Sequence, residues 1–176
     1  NDANPAEAGE LGSSNFRFGL SLFKTLNKKE EPGTNILISP LSVQTALHMT
    51  TNAAAGDSRQ DFLTGLYLDD WSLAKLNQSQ QRWRKTIIGN AGHPTISSTN
   101  GFFKDPERLK ANPDFTSRLQ EFYKAKLMDL NFDQAKKAKE RINSWVKEQT
   151  QDKIDKIVEN IRAEDVGFLI NALYYK

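Results

Sequence analysis

The chain has no cysteine, which excludes disulfide staples, a thiolate nucleophile and any Cys-based zinc site. Histidine is scarce. His48 and His93 are the two, they stand far apart, and neither has a second ligand at metal-binding spacing. A Gly-x-Ser-x-Gly elbow is also missing, so a hydrolase triad has no footing, and neither enzymatic activity, a metal nor a cofactor is expected. Apolar runs stay well short of the ~20 residues of a membrane span. An excess of one charge is lacking too. Lys and Arg number 24 against 22 Asp and Glu, for a formal net charge of +2, which calls for neither nucleic acid nor an anionic membrane as partner.

What is present is a chain of 176 residues, long enough for one domain with a real core. Its most apolar stretch is Gly167–Tyr175, where every residue but Asn171 is apolar, aromatic or glycine. The run does not alternate, so it reads as a central strand covered on both faces rather than one with a wet side. Asn171 then needs partners for its amide, either from neighbouring backbone or as a polar latch between sheet and helix. Residues 1–12 lack apolar periodicity and read as a flexible N-terminal arm. Ser13 or Ser14 is placed to cap a helix with Phe16, Gly19, Leu20, Phe23 and Leu26 on its inward face.

Asn35–Ile38 reads as a short buried strand, followed by Ser39 as a helix cap and Pro40 at the first helical position. The helix that follows has Leu41, Leu47 and Met49, interrupted by Thr45, His48, Thr50, Thr51 and Asn52. Asp57 or Ser58 is expected to cap the next helix. Residues 71–90 read as an amphipathic helix with Trp71, Leu73, Leu76 and Trp83 inward and a basic face of Lys75, Arg82, Arg84 and Lys85. That face is a solvated surface or a candidate polyanion contact. A loop over 89–94 leads to strand character from Thr95 to Phe103. Asn112-Pro113 opens another helix, Leu127, Leu130 and Phe132 mark a strand, and Asp133 caps a helix with Ala138, Ile142, Trp145 and Val146 in one stripe.

In that order these pieces resemble the serpin family: NILISPLS at Asn35–Ser42, AAAGDS at Ala53–Ser58, NGFF at Asn100–Phe103, NPDF at Asn112–Phe115, INSWVKEQTQDKI at Ile142–Ile154 and NALYYK at Asn171–Lys176. The resemblance implies an α+β fold with helices packed around a large mixed β-sheet, of which residues 13–176 are the N-terminal portion. A separate C-terminal portion of the same protein, carrying the reactive-centre loop, is then an expected partner, and the stop at Lys176 is expected to be a cut in a longer chain.

The implied function is suicide inhibition of serine endopeptidases, with cysteine endopeptidases as a further target class, by insertion of the cleaved loop into the main sheet. The alternative is a non-inhibitory carrier, chaperone or storage protein. The resemblance places Ser39, Ser42 and Asn171 at the gate where the sheet parts and makes Trp145 the anchor of the helix crossing it. Glycosaminoglycan binding is not expected, because the Lys75–Lys85 charges are few and mixed with Gln. An extracellular or exported location is expected, on the hint that the chain starts at Asn1 rather than Met. Thr50, Thr51 and Asn52 depart from the more apolar residues common in the family at these positions, which predicts a local repacking of that helix.

Overall fold

The computed structural model describes residues 5–88 and 96–175, and the loop expected over 89–94 lies outside them. Two compact units divide the chain, Asn1–Arg84 and Lys85–Lys176. The first holds α1 (Pro5–Asn27), α2 (Pro40–Ala53), α3 (Gly56–Gly65) and most of α4 (Leu73–Ile88). Leu11 of α1, Leu63, Leu66, Leu68, Trp71 and Leu76 form its buried apolar cluster.

Sequence and structure differ here at several points. Helix α1 starts at Pro5, so the expected arm is largely helical. Pro5 stands at the first helical position and the following Ala and Glu residues are good helix formers. Its inward side is Leu11, Ser14 and Gly19, whereas the expected inward residues Phe16, Leu20 and Phe23 are exposed. Gly19 faces Pro40, and a Cβ there would stand 2.8 Å from the proline ring, so a side chain would push α1 off α2. Residues 34–39 form no strand, and Leu37 is 98% exposed. An extended segment becomes a strand only where a ladder partner exists, and none is present among the described residues. Helix α3 begins at Gly56 after Ala55, without the side-chain cap expected of Asp57 or Ser58.

The second unit is a mixed sheet with helices on it. Strand β1 (Ile96–Lys104) pairs in parallel with β2 (Lys126–Asp129) and antiparallel with β3 (Gly167–Tyr175), giving the order β2-β1-β3. The parallel pair is joined by α5 (Pro113–Tyr123), a right-length crossover opened by Asn112, whose side chain accepts from Asp114 N–H at 2.8 Å. Phe132 lies not in a strand but in a 3₁₀ turn, Phe132–Gln134, which leads into α6 (Ala135–Gln149). The cap of that turn is Asn131, which accepts from Asp133 N–H at 2.8 Å, rather than Asp133 itself.

Because paired strand residues share a face, the register separates the sheet into two sides. Phe103, Ile170 and Ala172 pack with Ile142, Trp145 and Val146 of α6. Phe102 on the opposite side meets Phe115 of α5, ring centroids 5.3 Å apart and edge-on. Strand β3 therefore has the apolar, two-faced character read from its sequence. Among the described residues it is hydrogen-bonded to β1 and ends the strand order.

Candidate functional site

Antiparallel register places Asn171 of β3 directly opposite Asn100 of β1. Asn171 Nδ2 donates to Asn100 Oδ1 at 2.8 Å and to Ser98 Oγ at 3.1 Å. Asn100 is 2% exposed, and its own Nδ2 donates to the carbonyl of Tyr123, the last residue of α5, at 2.8 Å. A line of side-chain amides thus runs from β3 through β1 to the end of a helix. Of the two arrangements expected for Asn171, these hydrogen bonds follow neither alone: its amide is held by side chains of the adjacent strand, and the link to the helix is made by Asn100. Amides suit this position because they can exchange one partner for another, while a buried amide left without one costs about 1–3 kcal/mol.

Trp145 approaches the other side of the sheet. It is 6% exposed, and its ring meets Phe103 edge-on with centroids 5.1 Å apart. Gly101 makes room for this contact. A Cβ there would fall 2.5 Å from the Phe103 ring and 3.0 Å from the Trp145 ring.

Ser39 and Ser42 belong to the first unit. Ser39 Oγ accepts from Ser42 N–H at 3.3 Å, which is the predicted N-cap of α2, and both side chains are half-buried. Ser39→Ala is expected to cost about 1 kcal/mol of stability, read as a shift of the urea midpoint, and Ser39→Asp should restore most of it.

The four basic residues of α4 are not equivalent. Lys75 is ion-paired with Glu10 at 2.6 Å and lies 4.4 Å from the Trp71 ring centroid. Arg82 and Arg84 are half-buried, and Lys85 is exposed.

The sequence reading missed Ser98 and Asn100. Both lie in the uninterrupted polar run Ser97–Asn100, so no alternation set them apart, and only the strand register shows which face each takes. It also missed how polar the buried face of α2 is. Gln44 Nε2 donates to Ser14 Oγ at 2.8 Å, and His48 Nδ1 lies 3.3 Å from Gln80 Oε1. Gln80 Nε2 donates to Thr45 Oγ1 at 3.3 Å, and Asn52 and Asn77 exchange amide hydrogen bonds at 2.9 Å.

Comparison with known proteins follows the same lines. A model of the serpin family, described as serpin (serine protease inhibitor), matches residues 13–176. Corticosteroid-binding globulin of Saimiri sciureus is 32% identical over 169 residues, covering 94% of this chain and 41% of the relative. Leukocyte elastase inhibitor of Bos taurus is 32% identical over 171 residues, covering 95% and 44%. The chain thus spans less than half the length of these relatives. Cleaved kallistatin, solved in complex with heparin, superposes with a TM-score of 0.86 at 27% identity over 96% of this chain and 50% of that structure.

Proposed function

This chain belongs to the serpin family, and on that premise we propose that the whole protein is a suicide inhibitor of serine endopeptidases, with cysteine endopeptidases as a further target class. In this reading a protease cleaves an exposed loop of the C-terminal portion, and the loop enters the main sheet beside β3 as an additional strand. The observation that carries the proposal is β3 itself: nine residues, apolar on both faces but for Asn171, and hydrogen-bonded to β1 along one edge among the described residues. A strand of this kind favours a further neighbour, because each added residue supplies ladder hydrogen bonds and buries side chains.

The relatives support inhibition, since one of them is an elastase inhibitor and another is named serine protease inhibitor A3N. A second reading is favoured by the match to corticosteroid-binding globulin: a non-inhibitory binding protein on the same fold. The two are separated by mixing the full-length protein with trypsin-like, chymotrypsin-like and subtilisin-like proteases and with a cysteine protease. An inhibitor yields a complex that survives SDS. Loop cleavage without such a complex favours the binding protein.

The C-terminal portion of the same protein is the other proposed partner. It accounts for the apolar surface that residues 5–88 leave open, with Phe16 71% exposed and Leu37 98% exposed. Ser39, Ser42 and Asn171 are proposed as the gate through which the sheet opens, and Trp145 as the anchor of the helix that must shift. Asn171→Ala removes the donor to Asn100 and Ser98, and is expected to speed spontaneous polymerisation on mild heating. Native gels read this outcome, and unchanged monomer would count against the gate. A heparin-like polyanion is not an expected partner, because the basic residues of α4 are few and Lys75 is engaged by Glu10. An extracellular place of action goes with the proposal.

A further inference from the structure

Asp105 directly follows β1, and its side chain is 4% exposed. Its Oδ1 accepts from the N–H groups of Glu107 and Arg108 at 2.9 and 3.3 Å, and its Oδ2 accepts from Phe132 N–H at 2.7 Å. The Phe132 N–H, with those of Glu107 and Arg108 and the Arg108 charge, holds the carboxyl below the usual carboxylate range, so it is an anion at neutral pH. Arg108 completes the cluster. Its Nε lies 3.7 Å from Asp105 Oδ2, its Nη1 donates to the carbonyls of Ala163 and Asp165 at 2.9 and 3.0 Å, and its Nη2 donates to the Asp133 carboxylate.

Residues 132–133 lead into α6, and residues 163–165 end the segment that returns from it to β3. One buried carboxylate and one guanidinium therefore hold both ends of this excursion at the end of β1. The excursion is also tied within itself. Asn143 of α6 donates to the Val158 carbonyl and accepts from the N–H groups of Ile157 and Val158, each at 2.9 Å. Lys147 of α6 pairs with Asp155 at 2.8 Å. Toward the sheet, by contrast, α6 offers Ile142, Trp145 and Val146, apolar groups that slide or separate without stranding a hydrogen bond.

We propose that residues 132–165 form a single flap, polar at its base and within itself and apolar where it lies on the sheet, hinged at the Asp105–Arg108 pair. Resting on the inhibitory reading above, Arg108 is then a positioning residue for strand insertion, because it restrains the helix that must leave the sheet. Lysine cannot take this place, since a point charge does not reach two carbonyls and two carboxylates at once.

Hydrogen exchange on the full-length protein tests the hinge, with Arg108→Gln compared against Lys104→Gln. The latter breaks the neighbouring Lys104–Asp129 pair, which does not touch the flap. Arg108→Gln should speed exchange by about tenfold or more, since even one of its charged hydrogen bonds is worth about that much, and do so together across α6 and residues 154–158. Lys104→Gln should leave those segments unchanged. Acceleration confined to 131–133 and 163–165, or spread equally into β1, would overturn the hinge.

The second arm is the rate of inhibition. Arg108→Gln should raise the insertion rate about tenfold, and a variant that inhibits at the wild-type rate contradicts the coupling while leaving the inhibitory reading intact. If the wild type forms no SDS-stable complex, the inhibitory reading fails, and the exchange result still decides the hinge.

Discussion

Trp145→Ala is expected to destabilise the intact protein by about 3–5 kcal/mol, the usual result of truncating a large buried aromatic to alanine. The site has little capacity to collapse around the loss. Trp145 touches Phe103 at ring distance, and Ile142, Val146, Val158, Ile170 and Ala172 complete the same buried cluster. Gly101 lies under the indole, so no neighbouring side chain can swing into the vacated space from the strand. Trp145→Phe should recover roughly half of the loss, since it keeps an aromatic edge against Phe103. The midpoint of the first urea transition, followed by far-UV circular dichroism, measures both variants. A shift below about 1 kcal/mol for Trp145→Ala would mean that α6 is not anchored by this residue.

Acidification is expected to cost about 3 kcal/mol through one group, His48. The side chain is fully buried, and burial pushes its imidazole from 6.5 down to about 4, opposed in part by the hydrogen bond with Gln80. Gln80 donates its amide to Thr45, so its carbonyl oxygen accepts from His48 Nδ1–H. That leaves His48 Nε2 as a buried acceptor without a partner. Its side-chain hydrogen-bond partner Gln80 is neutral, and so are Thr45, Asn52 and Asn77, which are bonded to that partner or to the His48 backbone or lie one bond further on.

The sign follows from where protons bind. Between pH 6.5 and about 4 the unfolded chain takes up a proton at this position and the folded chain does not, so stability falls as pH drops through that window and levels off below it. Urea unfolding at pH 7.5 and pH 4.5 should show the loss in the wild type and a flatter profile in His48→Gln. An equal pH slope in both would place the titration elsewhere.

These two residues also show what the sequence makes legible. The stripe of Ala138, Ile142, Trp145 and Val146 is local, one face of a helix, and it was readable as such. So were Ser39-Pro40 and Asn112-Pro113 as helix starts, and the two-faced strand at Gly167–Tyr175. The polar face of α2 was readable only as a departure from apolar packing. Its partners Ser14, Asn77 and Gln80 lie on other helices, 25 to 35 residues away in sequence, and no local period announces them. The outward turn of Phe16, Leu20 and Phe23 was hidden for a related reason. Periodicity identifies an apolar stripe but not whether its cover lies in the same stretch of chain. At the candidate site Asn171 was legible as a polar residue in need of partners, whereas Asn100 and Ser98 became visible only through the strand register. The Asp105–Arg108 pair escaped for the same reason: it joins residues 132–133 and 163–165 across the fold.

The storage of free energy in a sheet that can accept one more strand is tested most directly by thermal unfolding of the full-length protein before and after cleavage of its exposed loop by a serine protease. The account predicts that the cleaved form melts well above the intact one, because the inserted loop adds a strand's ladder hydrogen bonds to the sheet and its side chains become buried. Equal melting temperatures for the two forms would contradict it.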